Sequence, residues 1–265
     1  QSVTFDAPLA LELGSELASV TVAYETYGQL NAAQDNAVLV CHALSGDSHV
    51  AMHDDGDDPG WWDARVGPGK GIDTDRYFVI CANVLGGCRG TTGPGSTDPA
   101  TGRAYGNDFP TVTTGDMVEA QRWLVQHLGI DTLLAVVGGS MGGQTAMCWA
   151  ATYPNAVRGI IPIASTPRVS TQALSFDVVG RNAIMQDPNF RDGQYYDGGP
   201  RPDVGLALAR MIAHITYLSP AAMTEKFEAD RYDPRDVPVV FEKAFSVGSY
   251  LGYQGARFVD RFDAN

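Results

Sequence analysis

The chain has 265 residues, 44% of them hydrophobic and 18% charged, with a net charge of -13. This composition belongs to a globular protein with a sizeable core and excludes a disordered or fibrous chain. The acidic balance argues against non-specific nucleic-acid binding, which needs Lys and Arg to neutralise phosphates, and no apolar run reaches membrane-spanning length.

In chain order, Val20 to Tyr27 alternates apolar and polar residues and stops at Gly28, which predicts an antiparallel edge strand with one wet face. Ala37 to Cys41, Tyr77 to Cys81 and Leu133 to Val137 are short continuous apolar runs, the pattern of parallel strands covered by helices on both faces. Between the first two lies the acidic stretch Asp54 to Gly60, read as an exposed loop. Thr113 to Gly129 carries Met117, Ala120, Trp123, Leu124 and Leu128 at helical spacing, with Gly129 as its stop. A further strand is predicted over Gly159 to Ala164. This alternation predicts an α/β fold with a mostly parallel, doubly wound sheet, whose ligands gather at the carboxyl ends of the strands. From about Ser170 to Arg257 the period becomes helical, as in Gly205 to Ile215, and a helical cap is expected.

The third buried run leads directly into Gly138-Gly139-Ser140-Met141-Gly142, followed by the helix-forming Gln144 to Ala151. Strand, Gly-x-Ser-x-Gly and helix in succession predict a nucleophile elbow, in which Ser140 sits on a strained turn and side chains at Gly138 and Gly142 are not tolerated. The helix directs its positive end at the same spot, and the Met141 N–H faces a developing oxyanion. That arrangement suits acyl transfer.

Cys41, Cys81, Cys88 and Cys148 show no C-x-x-C spacing, and all but Cys88 lie in apolar runs, so they read as small core residues in a reducing compartment. Five histidines in no ligand spacing give no metal site to expect. No signal-peptide pattern opens the chain, and the cytoplasm is the expected compartment.

Several blocks together resemble the homoserine O-acetyltransferase family. They are Tyr24 to Gly28, His42 to Asp47, Gly60-Trp61-Trp62, Gly69 to Thr74, Asn83 to Pro94, the elbow, Arg210-Met211 with Ile215-Thr216-Tyr217, and Ser249-Tyr250-Leu251 onward. The resemblance implies an α/β-hydrolase fold and a place in methionine biosynthesis. It also implies a double displacement: Ser140 takes an acyl group from acyl-CoA and the hydroxyl of homoserine removes it. Acetyl-CoA is then the co-substrate, with no resident cofactor. The two oxyanion donors expected are the backbone N–H groups of Met141 and of Leu44, in the loop after the first buried strand. Arg210 is expected to grip the homoserine carboxylate with Tyr217 alongside, two helical turns away on one face. Without the family pattern, Arg210 reads first as an ordinary surface or helix-end arginine and Tyr217 as a buried aromatic, while Trp61 and Trp62 read as apolar packing before they read as a wall of the acyl pocket. His42, beside the oxyanion loop, is expected to be structural.

In this fold the acid and the base follow the nucleophile in the chain. The only histidine after Ser140 is His214, in the middle of a predicted helix and expected to be structural. The chain is therefore expected to be a shortened form without triad acid or base. Its expected divisions are a core over 1–169, a helical cap over 170–257 and the start of a return to the core over 258–265. An uncovered sheet edge and homodimerisation are expected with it. Three other functions stay open: an esterase or thioesterase, a homoserine or serine O-succinyltransferase, and a non-catalytic binding protein of the same fold.

Overall fold

A computed structural model describes residues 1–227 and 245–265. The chain divides into two compact units, Gln1–Arg168 and Val169–Asn265.

The first unit holds strands β1 (Ser2–Phe5), β2 (Leu9–Ala10), β3 (Glu16–Leu17), β4 (Val20–Tyr27), β5 (Ala37–Cys41), β6 (Val66–Gly67), β7 (Ile72–Asp73), β8 (Phe78–Ala82), β9 (Ala135–Gly139) and β10 (Ile160–Ile163). Helices α1 (Thr114–His127) and α2 (Met141–Thr152) flank β9 in sequence. The main sheet has the order β1-β4-β8-β5-β9-β10, parallel from β8 to β10 and antiparallel at β4 and β1. It is the mixed, mostly parallel α/β sheet that the alternation of elements implied. β4 is antiparallel, as its period required, but it is not the edge. β1 covers it in the register Ser2↔Ala23 to Phe5↔Val20, and four residues of weak alternation carry too little pattern to announce such a strand.

Alternation of side chains along β5 splits the core in two. Ala37, Leu39 and Cys41 face a cluster built with Val118, Leu124, Val125, Ala146 and Trp149 of α1 and α2. Val38 and Val40 face the opposite side with Val50, Ala51, Val66, Val79 and Val137. Both helices of this unit thus pack on one face, and the other is covered by the non-helical segment between β5 and β8. The expectation of helices on both faces fails within this unit. A backbone hydrogen bond that closes a long loop, Trp62 N–H to the Val50 carbonyl at 2.9 Å, lets this segment lay Val50, Ala51 and Val66 on the sheet without a helix. β10, the last strand in the order, keeps Ile161 and Ile163 about half exposed, so its apolar run is not buried on both faces as expected.

Polar groups tie this core together. Thr113 and Asp116 form a reciprocal capping box at the start of α1. Buried Gln121 on α1 accepts from the Trp149 indole N–H at 2.9 Å and from the Cys41 thiol at 3.8 Å, which joins α1, α2 and β5. Burial pushes the Cys41 thiol up to about 12, so it acts as packing and as a weak donor, in keeping with its reading as a core residue. Cys81 is also buried, whereas Cys148 is only half-buried and Cys88 is exposed.

The second unit is helical among its described residues: α3 (Thr171–Met185), α4 (Asp203–Ile215), α5 (Pro220–Phe227) and α6 (Ser246–Val259). α4 packs against both α3 and α6. Gly205 permits the first approach, since a Cβ there would lie 2.7 Å from the Ile184 Cα, and its N–H is held by buried Asp187 at 2.8 Å. Residues 258–265, expected as the start of a return to the core, lie in this unit. Asp263 accepts hydrogen bonds from the Tyr195 and Tyr196 hydroxyls at 2.7 Å each, which anchors the segment. No described helix is long and apolar enough to cross a membrane.

Candidate active site

Ser140 stands between β9 and α2 with φ 54° and ψ -122°, a conformation that costs a non-glycine residue roughly 1–3 kcal/mol. The surrounding backbone imposes it. The Ser140 N–H donates to the Ile163 carbonyl at 3.0 Å, and its own carbonyl accepts from Gly143 N–H, Gln144 N–H and the Ser165 hydroxyl at 2.7 Å. The residue is exposed, and its Oγ hydrogen-bonds to no described residue. A strained, exposed serine with a free hydroxyl at a helix N-terminus is what the elbow pattern predicted.

The glycines around it are required by close approach. A Cβ on Gly138 would run into the Gly142 carbonyl, and one on Gly142 into the Cys41 carbonyl. Gly143, which the elbow pattern leaves unspecified, is equally constrained, because a Cβ there would lie 2.6 Å from the Ser165 Cβ. β9 extends through Gly139, two residues beyond the apolar run, since Gly138 pairs with Cys41 and Gly139 with Ile163.

The pairing of Cys41 with Gly138 brings the loop after β5 to the elbow. That loop carries Leu44, whose side chain is 63% exposed. Neither the Leu44 N–H nor the Met141 N–H donates to any described residue, so both expected oxyanion donors are free. His42 fixes the loop's root. Its Nδ1 donates to the Ala43 carbonyl at 2.7 Å and its Nε2 accepts from the Val84 N–H at 3.2 Å, a tautomer that uses both ring nitrogens. Burial holds its pKa below the usual histidine value, and the ring serves as a structural tie.

The Asn83 to Pro94 segment braces the same strand ends. Buried Asn83 accepts from the Ser48 N–H at 2.9 Å and donates to the Arg89 carbonyl at 2.5 Å. Thr91 and Thr92 accept from the Ala23 and Thr21 N–H groups of β4 at 2.9 and 2.8 Å. These contacts make the block a backbone brace, a role its glycines and threonines alone do not announce.

The other expected site residues lie in the second unit. Arg210, on α4, donates from a terminal guanidinium nitrogen to the Tyr217 hydroxyl at 3.2 Å and lies over the Phe258 ring at 4.6 Å. It forms no ion pair with a described carboxylate, and its buried Nε has no described partner. Tyr217 is not on the helix as expected: α4 stops at Ile215 with Thr216 as its cap. The hydroxyl still reaches Arg210, and the exposed ring contradicts its alternative reading as a buried aromatic. His214 sits in the last turn of α4 rather than its middle, with Nδ1 2.9 Å from the Tyr250 hydroxyl. Burial, then Arg210, Arg261 and Lys226, keep its pKa below the usual value.

A family profile described as the alpha/beta hydrolase fold matches residues 36–257. The chain is 58% identical over 265 residues to the bifunctional methionine biosynthesis protein MetXA/MetW of Rhodopirellula baltica, spanning 42% of its length. It is 58% identical to the homoserine O-acetyltransferase of Solidesulfovibrio magneticus, spanning 66% of it, and 55% identical to that of Desulfotalea psychrophila, spanning 67%. The crystal structure of homoserine O-acetyltransferase from Bacillus anthracis is similar with TM-score 0.88 and 31% identity, over all of this chain and 72% of that one. Esterase E22 is similar with TM-score 0.86 and 31% identity, over 74% of its chain. The chain thus spans 42% to 67% of the length of these curated relatives and agrees with them almost throughout its own length. It belongs to the alpha/beta hydrolase fold and, within it, to the homoserine O-acetyltransferase family.

Proposed function

We propose that the protein containing this chain is an acetyl-CoA:L-homoserine O-acetyltransferase of methionine biosynthesis, working in the cytoplasm through an acyl-serine intermediate. Ser140 is the nucleophile. Its Oγ attacks the thioester carbonyl, and the Met141 and Leu44 N–H groups take the developing oxyanion. Coenzyme A leaves as the thiol, and the acetyl group then passes to the hydroxyl of homoserine. Arg210 holds the acceptor's carboxylate through its two-pronged donor set, with Tyr217 fixing the guanidinium. The Ser140 Oγ hydrogen-bonds to no described residue. The observation that carries the reading is the strained, exposed Ser140 with its free hydroxyl, followed by the unused Met141 N–H and neighboured by the loop of Leu44 through the pairing of Cys41 with Gly138.

An esterase shares every step up to the acyl-enzyme, and the likeness to esterase E22 favours that second reading. What supports the transferase is Arg210, a half-buried cation paired with no described carboxylate and so available to an acidic acceptor. The test is release of free coenzyme A from acetyl-CoA by the complete gene product, with and without homoserine. Homoserine-dependent release, abolished in Ser140→Ala and with KM for homoserine raised at least ~10-fold in Arg210→Lys, supports the proposal. Equal release without acceptor supports the esterase.

A further inference from the structure

Away from Ser140, one carboxylate oxygen gathers an unusual set of neighbours. Glu25, on β4, places its Oε2 3.0 Å from His49 Nδ1, 2.9 Å from His53 Nε2 and 2.6 Å from the Tyr27 hydroxyl. The donor atoms of Glu25, His49 and His53 all lie within 4.8 Å of one another. Spacing along the chain conceals the group, because the carboxylate comes from a strand and the histidines from the loop after β5. The sequence-based expectation of no metal site rested on that spacing.

The contacts of His49 fix its tautomer. Its Nε2 lies 2.6 Å from the Asp58 carbonyl, which can only accept, so Nε2 carries the hydrogen. In the neutral ring the Nδ1 lone pair then faces a carboxylate oxygen at 3.0 Å, acceptor against acceptor. A cation at that point satisfies both; a second proton on the ring is its competitor. The contact from Nε2–H to a backbone carbonyl is also the outer contact that orients metal-binding histidines. The His53 ring is held by stacking on Tyr27 at 4.4 Å, and its backbone N–H donates to the Asp57 carboxylate at 3.0 Å.

We propose that Glu25, His49 and His53 form a binding site for a divalent transition-metal ion, zinc foremost, with a fourth position open to water. Two imidazoles and a carboxylate are a zinc donor set, and at metal–ligand distances of about 2.0–2.2 Å the three groups need only open slightly. With two imidazole nitrogens to one carboxylate oxygen, the donor set favours zinc-like ions over the oxygen-seeking magnesium and calcium. The bound ion ties the 47–60 loop to β4. This inference does not rest on the acyl-transfer reading.

The experiment is titration of the metal-stripped protein with cobalt(II), followed by zinc competition against a chromophoric chelator. A tetrahedral cobalt spectrum at about one ion per chain, displaced by zinc but not by magnesium or calcium, is expected. Glu25→Gln and His53→Gln should each weaken zinc binding at least ~10-fold, whereas Ser140→Ala and the acidic-loop variant Asp54→Asn/Asp55→Asn should not. Tryptophan fluorescence checks that each variant is folded. His53, nearly half exposed, is the position where replacement disturbs packing least. The proposal is overturned if no cobalt binds, if the spectrum is octahedral, if the acidic-loop variant loses affinity, or if folded His53→Gln binds zinc as the parent does.

Discussion

The backbone at Ser140 allows strain to be separated from chemistry. At φ 54° and ψ -122° a residue with a Cβ pays roughly 1–3 kcal/mol that glycine does not. Ser140→Ala removes the hydroxyl but keeps the Cβ, and since Oγ bonds to no described residue and the position is exposed, stability should stay within ~0.5 kcal/mol of the parent. Ser140→Gly removes both, recovering the strain and forfeiting about 0.5–1 kcal/mol of extra unfolded-state entropy. The glycine variant should therefore be more stable than the alanine variant by about 0.5–2 kcal/mol, the reverse of the usual order. Urea unfolding followed by tryptophan fluorescence is the assay. All four tryptophans, Trp61, Trp62, Trp123 and Trp149, lie in the first unit, so the signal reports on the unit that contains the elbow. With a slope of about 1–3 kcal/mol per molar, the midpoint should rise by a few tenths of a molar or more. A glycine variant no more stable than the alanine variant would refute the claim that the turn stores strain.

Gly142→Ala puts a Cβ into the Cys41 carbonyl and within 3.0 Å of that of His42. Backbone cannot swing aside as a side chain can, so a loss of about 1–3 kcal/mol is expected in the same urea assay. The resulting shift of the turn should lower acyl transfer by ~10²-fold; parental stability and rate together would show that the close approach is not real. His42 resists protonation in the fold because it is buried, so its contribution is present above the ordinary histidine pKa of about 6.5 and is lost as pH falls below it toward the depressed folded value. Across that window the unfolded chain binds the extra proton, and stability should fall with a slope of up to ~1.4 kcal/mol per pH unit. His42→Gln, compared with the parent in urea titrations on either side of this range, should flatten that slope; identical slopes would remove His42 from the account.

The elbow was legible because its requirements are local: an apolar strand, glycines where backbones touch, a helix after. What lay beyond local pattern was missed for identifiable reasons. β9 runs on through Gly138 and Gly139 because pairing with Cys41 and Ile163 continues there, and hydrophobicity does not register glycine. The cover on the second sheet face comes from a segment without periodicity, whose Val50, Ala51 and Val66 are recognisable as core only once the turns between them exist. Tyr217 reaches Arg210 from beyond the end of α4, so the pair that the family resemblance implied meets by a geometry other than the helical spacing offered for it. The meeting of Glu25 with His49 and His53 depends on β4 lying beside β8, a matter of topology that no reading of neighbours supplies.

The strand order also governs when the serine becomes what it is. β5 lies between β8 and β9, and the turn is seated only when β10 slots in beside β9 and β9 beside β5, the latter a partner drawn from a remote stretch of polypeptide. Pairings of such long sequence separation come late, after loop-closure entropy has been overcome. A chain still emerging or half refolded thus carries a relaxed, ordinary hydroxyl at this position, and its reactive posture arrives only with completion of the sheet.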